Sequence, residues 1–115
     1  MGMCARVYTI LGYDFTPWRD EMYTDEWAEN EDNDKWYENH VVGEVQLFTD
    51  DLNGIDLFFG YILAADDVDE FEMKKYTLGK TVLLQTTVER KFFETGLKIP
   101  KNMPPMSIIT FVEWV

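Results

Sequence analysis

Val45-Gln46-Leu47-Phe48-Thr49-Asp50-Asp51-Leu52-Asn53-Gly54-Ile55-Asp56-Leu57-Phe58-Phe59-Gly60-Tyr61-Ile62-Leu63 is the stretch whose reading decides the fold. Asn53-Gly54 supplies the two residues that tolerate positive φ in a tight hairpin turn. Before it, Val41–Thr49 reads as a strand, with Val41, Gly43, Val45 and Leu47 on one side. Val42, Glu44, Gln46 and Phe48 take the other side, the period-two pattern of a strand. After it, the run Ile55–Ala65 is apolar on both sides, which predicts a central strand covered on both faces.

Working outward, Met3–Tyr13 is rich in β-branched and aromatic residues and reads as a first strand. Thr16-Pro17 then starts a helix: Thr16 offers a cap, and proline suits the first helical position. Trp18, Met22, Tyr23 and Trp27 fall four apart in pairs, predicting one helix to about Glu29, then a loop at Asn30–Asp34. On the other side, Leu84, Val88 and Phe92 are four apart and Gly96 is a stop, so a helix covers at least the second half of Leu78–Thr95. Leu97–Pro105 connects to a final apolar strand, Met106–Val115.

The order strand, helix, strand, strand, helix, strand is the ferredoxin-like βαββαβ pattern, an α+β four-stranded antiparallel sheet with two helices. A strand at residues 78–88 would instead give a mostly antiparallel β protein. The 115 residues suit one domain spanning 1–115. Eight Phe, six Tyr and four Trp fill a core without a disulfide or metal staple.

The formal net charge is −12, unevenly distributed. Residues 1–73 carry −16 and residues 74–115 carry +4, with Lys74, Lys75, Lys80, Arg90, Lys91, Lys98 and Lys101 in the basic part. Within positions 14–38 ten acids meet only Arg19 and Lys35. These acids are Asp14, Asp20, Glu21, Asp25, Glu26, Glu29, Glu31, Asp32, Asp34 and Glu38. A second cluster comprises Asp66, Asp67, Asp69, Glu70 and Glu72. Such a balance disfavours direct contact with nucleic acid or an anionic membrane, since each phosphate contact wants a Lys or Arg. No apolar run approaches the ~20 residues of a membrane span, and Met1–Arg6 has no long apolar signal core. A cytoplasmic location is expected, or the host cytoplasm for a viral chain.

Candidate chemistry is sparse. Cys4 and His40 are the sole residues of their kinds, which excludes an intrachain disulfide and leaves no Cys- or His-rich metal set. Gly79-Lys80-Thr81 copies the end of a phosphate-binding loop, but Lys74 stands where its first glycine belongs. Asn30, Asp32 and Asp34 alternate like calcium ligands, yet Lys35 and Val41 occupy the positions of the required Gly and Glu. Asp50, Asp51, Asp56, Asp66 and Asp67 offer carboxylate pairs for acid–base work, and at turns such residues commonly form the turn itself. No cofactor is expected.

Trp18–Tyr37 resists a bland account, because it sets Trp18, Tyr23, Trp27, Trp36 and Tyr37 among carboxylates. Aromatic anchors ringed by charge are the usual makings of an interface. The expected partner surface combines Trp18, Asp20, Glu21, Tyr23, Asp25, Glu26, Trp27, Glu29, Glu31, Asp32, Asp34 and Trp36 with Asp66, Asp67, Asp69 and Glu70. Its expected role is non-enzymatic inhibition of a basic-surfaced protein that handles nucleic acid, in the manner of phage anti-restriction or anti-CRISPR proteins or nuclease immunity proteins. Two other classes fit: an enzyme or ligand module built on a carboxylate pair, and a homo-oligomer in which the basic third meets the acidic part.

Overall fold

The computed structural model describes residues 5–49, 55–70 and 74–114. Four strands, β1 (Ala5–Asp14), β2 (Val45–Thr49), β3 (Leu57–Asp67) and β4 (Ser107–Trp114), form one sheet in the order β2-β3-β1-β4. Every neighbouring pair is antiparallel. This is the expected α+β architecture with a four-stranded antiparallel sheet, and β3 lies inside the sheet as its apolar run predicts. β2 and β3 form the expected antiparallel pair, with Thr49 opposite Leu57. The Asn53-Gly54 turn lies outside the described residues.

Helix α3 (Leu78–Glu94) settles the ambiguous segment as helix over its full length. Thr77 caps it, its hydroxyl accepting from Lys80 N at 3.4 Å. Gly96 ends it with φ +73°, the left-handed turn that favours glycine after a helix. The helix buries Thr81, Val88 and Phe92 against the sheet. Phe92 stacks on Phe15 at 4.9 Å and tilts against Phe59 at 5.7 Å, in a core shared with Met22, Trp36, Leu47 and Leu57.

The single helix expected over Trp18–Glu29 is instead three short pieces: a 3-10 turn (Thr16–Trp18), α1 (Arg19–Met22) and α2 (Asp25–Glu29). Pro17 sits in the first turn as expected, but the Thr16 hydroxyl accepts from Leu57 N at 3.2 Å rather than capping a helix. Thr24 breaks the run, because its extended backbone and its hydroxyl, accepting from Trp27 N at 3.2 Å, start a new helix. The acidic loop is also more regular than expected, a 3-10 segment over Glu31–Trp36. The second strand begins at Val45 rather than Val41, since Gly43 takes φ +93°.

The sheet is strongly curled. Phe58 pairs with Asp14 and Phe111 pairs with Tyr8, so six residues of β1 separate their levels. A flat sheet would set them about 20 Å apart. Their rings instead stack at 4.6 Å, and Phe48 lies 5.0 Å from Tyr8. The sheet therefore folds its ends toward each other on the face away from α3, enclosing a second core of Tyr8, Ile10, Phe48 and Ile62. A register shift at Thr9/Ile10 and the facing pair Gly12–Gly60 supply the bend.

Candidate interaction surface

Residues 14–38 leave the end of β1 and run over the α3 side of the sheet. The core holds their aromatic rings. Trp36 is buried, and Trp18, Tyr23, Trp27 and Tyr37 are half-buried against the same cluster as Phe15 and Phe59. Trp27 Nε1 donates to Thr95 O at 2.8 Å, fastening α2 to the end of α3. The Tyr37 hydroxyl lies 2.8 Å from Asp34 Oδ1 and 2.9 Å from Ala28 O, sharing its proton between two acceptors. Burial first, then the bond to Asp34 and its charge, pushes this phenol up to about 12.

With the rings turned inward, the carboxylates face water. Asp14, Asp20, Glu21, Asp25, Glu26, Glu29, Glu31, Asp32 and Glu38 are exposed, and Asp34 is half-buried. Among the described residues none of these ten acids forms an ion pair. Two clefts straddle Glu21. One, of about 350 Å³, is lined by Trp18, Arg19, Asp20 and Ile55, and the other, of about 340 Å³, by Glu26, Trp27, Asn33 and Lys98. Trp18 and Trp27 thus contribute edges to the surface rather than free anchors. Ile55 and Lys98 join these clefts through the fold, and no local pattern in the sequence marks them.

The second acidic cluster stands apart and is partly neutralised. Asp66 pairs with Lys74 at 3.7 Å and Asp67 with Arg6 at 3.9 Å. Asp69 is exposed, and the side chain of Glu70 lies outside the described set, as does Glu72. Arg6 is opposite Asp67 and Asp14 opposite Phe58, so the cluster begins at the end of β1 remote from Asp14. The expected surface therefore divides into a belt without ion pairs and a separate cluster in which Asp66 and Asp67 are paired.

Other candidate groups have structural work. Asn30 Oδ1 accepts from Asp32 N at 3.0 Å and caps the 3-10 segment, while Asn33 Nδ2 donates to Trp27 O at 2.9 Å. Gly79-Lys80-Thr81 forms the first turn of α3, where the Thr81 hydroxyl donates to Leu78 O at 2.8 Å. Asp56 precedes β3, whereas Asp66 and Asp67 close it, and Asp50 and Asp51 lie outside the described residues. Asp56 and Glu113 line a notch between Phe48, Phe58 and Phe111, but its volume of about 20 Å³ admits only a water-sized group. His40 stacks on Phe48 at 4.4 Å, with Glu113 at 3.9 Å. Burial, then the charge of Arg6, pushes its imidazole below the ordinary histidine value. Cys4 lies outside the described residues.

Among the described residues no helix is long and apolar enough to cross a membrane. Compared with protein-family profiles, curated proteins and solved structures, the chain matches none of them.

Proposed function

We propose that this chain is a small acidic inhibitor that occupies the basic groove of a nucleic-acid-handling protein, with its carboxylates in the places of phosphates. The observation that carries the reading is the belt at residues 14–38, nine exposed carboxylates on a scaffold tied down by its own aromatic rings. Like charges held together without counter-ions repel one another, and a surface of Lys and Arg relieves that repulsion on binding. The tethered rings add pre-organisation: a belt already fixed in place loses little freedom when a partner docks.

The binding energy comes from charge, so association is fast and falls steeply with salt, as it does for the nucleic acid being displaced. The test is capture from source cells, or from host cells for a viral chain, using wild type and a variant carrying Glu21→Gln, Glu26→Gln, Glu29→Gln, Glu31→Gln and Asp32→Asn. The expected catch is a basic nucleic-acid-handling protein held by wild type at low salt and lost with the variant. An identical catch with both proteins contradicts the proposal.

A further inference from the structure

The outer edge of β4 is a long strand edge without the usual guards. β4 pairs with β1 through eight consecutive residues with no register shift, and among the described residues no strand pairs with its other side. Its sequence, Ser107-Ile108-Ile109-Thr110-Phe111-Val112-Glu113-Trp114, has no proline, glycine or lysine. Edge strands that stay solitary are ordinarily short, bulged or marked by such residues. β2, at the opposite edge, is of that kind: it has five residues, and Gln46 Nε2 ties it to Lys35 O at 3.1 Å.

The cover of the sheet also stops one strand short of this edge. Ile109 and Phe111 turn toward the second core. Ile108, Thr110 and Val112 take the other face, beside Leu11, Thr9 and Val7 of β1. Those three β1 residues are buried, whereas Ile108 is 50% and Val112 45% exposed. What fits such an edge is another strand, which pairs with the backbone and sets apolar side chains beside these on both faces.

We propose that this strand is β4 of a second copy of the chain, antiparallel about a two-fold axis at Thr110, so that two sheets join into one of eight strands. The strand is complementary to itself in that register. Ile108 lies beside Val112 of the second copy on one face, and Ile109 beside its Phe111 on the other. Glu113 falls opposite Ser107. Moving the axis to Phe111 sets Glu113 against Ile109, and moving it to Val112 sets Glu113 against Phe111. Moving it to Ile109 draws Pro105 into the ladder, where proline has no N–H to give.

The charges permit the same contact. Each copy carries −12, but from Lys98 to Val115 two lysines accompany a single glutamate. The acidic belt is fastened toward the other edge, through the Gln46–Lys35 bond and through Trp36, which lies 6.0 Å from Phe59 of β3. Pairing through β4 therefore keeps the two belts apart. An eight-residue strand is about 27 Å long and covers less than the ~800 Å² per partner of a standard interface, so the dimer is concentration-dependent. The belt carboxylates take no part in the contact, and the inference stands or falls separately from the inhibitor reading.

The test is molar mass by sedimentation equilibrium between about 1 μM and 1 mM protein in about 0.5 M salt, which screens repulsion between copies. The expected result is a rise from 13.6 kDa toward twice that value. Ile108→Lys and Val112→Lys place a guarding charge at exposed edge positions, and each raises the dissociation constant at least tenfold with unchanged far-UV circular dichroism. Backbone amide exchange over residues 107–113, read by mass spectrometry, slows as the dimer forms. A monomer at every concentration overturns the proposal, as does a dimer indifferent to both lysine substitutions or one whose β4 amides exchange as fast as the monomer's.

Discussion

At Gly12 a side chain's first carbon would stand 2.0 Å from the Phe59 carbonyl oxygen, and at Gly60 2.5 Å from that of Leu11. Backbone cannot yield as a flexible side chain can, so these glycines permit the close approach that bends the sheet. Gly12→Ala and Gly60→Ala are each expected to cost about 2–3 kcal/mol or more. Urea midpoints measure this, and a wild-type midpoint in both variants contradicts the account of the bend. His40 supplies a pH prediction at the same scale. Burial and Arg6 outweigh Glu113 and hold the folded-state imidazole below its ordinary value. The unfolded chain takes up a proton below about pH 6.5 and the folded chain resists it. The contribution is present above that pH and is lost as pH falls through the depressed folded-state value. Unfolding midpoints at pH 7.5 and 5.5 are expected to differ more for wild type than for His40→Gln. Equal differences would deny His40 this role.

At the scale of elements, α3 and the segment before it differ in what holds them. Phe92 contacts Tyr13, Phe15 and Phe59, so Phe92→Ala is expected to cost about 3–5 kcal/mol. Thr24 caps an exposed five-residue helix, and Thr24→Ala is expected to cost about 1 kcal/mol. Calorimetry on the two variants gives the comparison, and equal losses would contradict it. Periodicity marked the inward stripe of α3, because Leu84, Val88 and Phe92 repeat every four residues. The exposed apolar residues beside that stripe were legible in principle through Val82-Leu83 and Phe92-Phe93, since a helix cannot bury both members of an adjacent pair. The break at Thr24 had a local signal too, a cap residue followed by Asp25-Glu26. The four-residue spacing of Tyr23 and Trp27 spans that break and concealed it. The curl of the sheet had no local pattern, because Gly12 and Gly60 lie 48 positions apart and act only as a facing pair.

At the scale of the whole molecule, the uneven charge acquires a shape. The sequence located the acids and the aromatic residues together, but not which of them would face water. The rings went inward because the short helices of residues 16–36 have little packing of their own. Without Trp18, Tyr23, Trp27 and Trp36 they could not cover Phe59 and Leu47. The carboxylates are left outside by the same geometry, and the compensated pairs Arg6–Asp67 and Lys74–Asp66 stand at the start of β1. The central claim is that the acidic belt competes for a surface that binds nucleic acid. Its most direct test is a competition measurement on the captured partner, following its binding to a labelled nucleic acid as this chain is added. The account predicts displacement by wild type that weakens steeply between 50 and 200 mM salt, as expected for roughly six or more charge contacts. It also predicts no displacement by the variant with five belt carboxylates neutralised. Nucleic-acid binding that survives saturating wild-type protein, or displacement by the neutralised variant at equal strength, would contradict it.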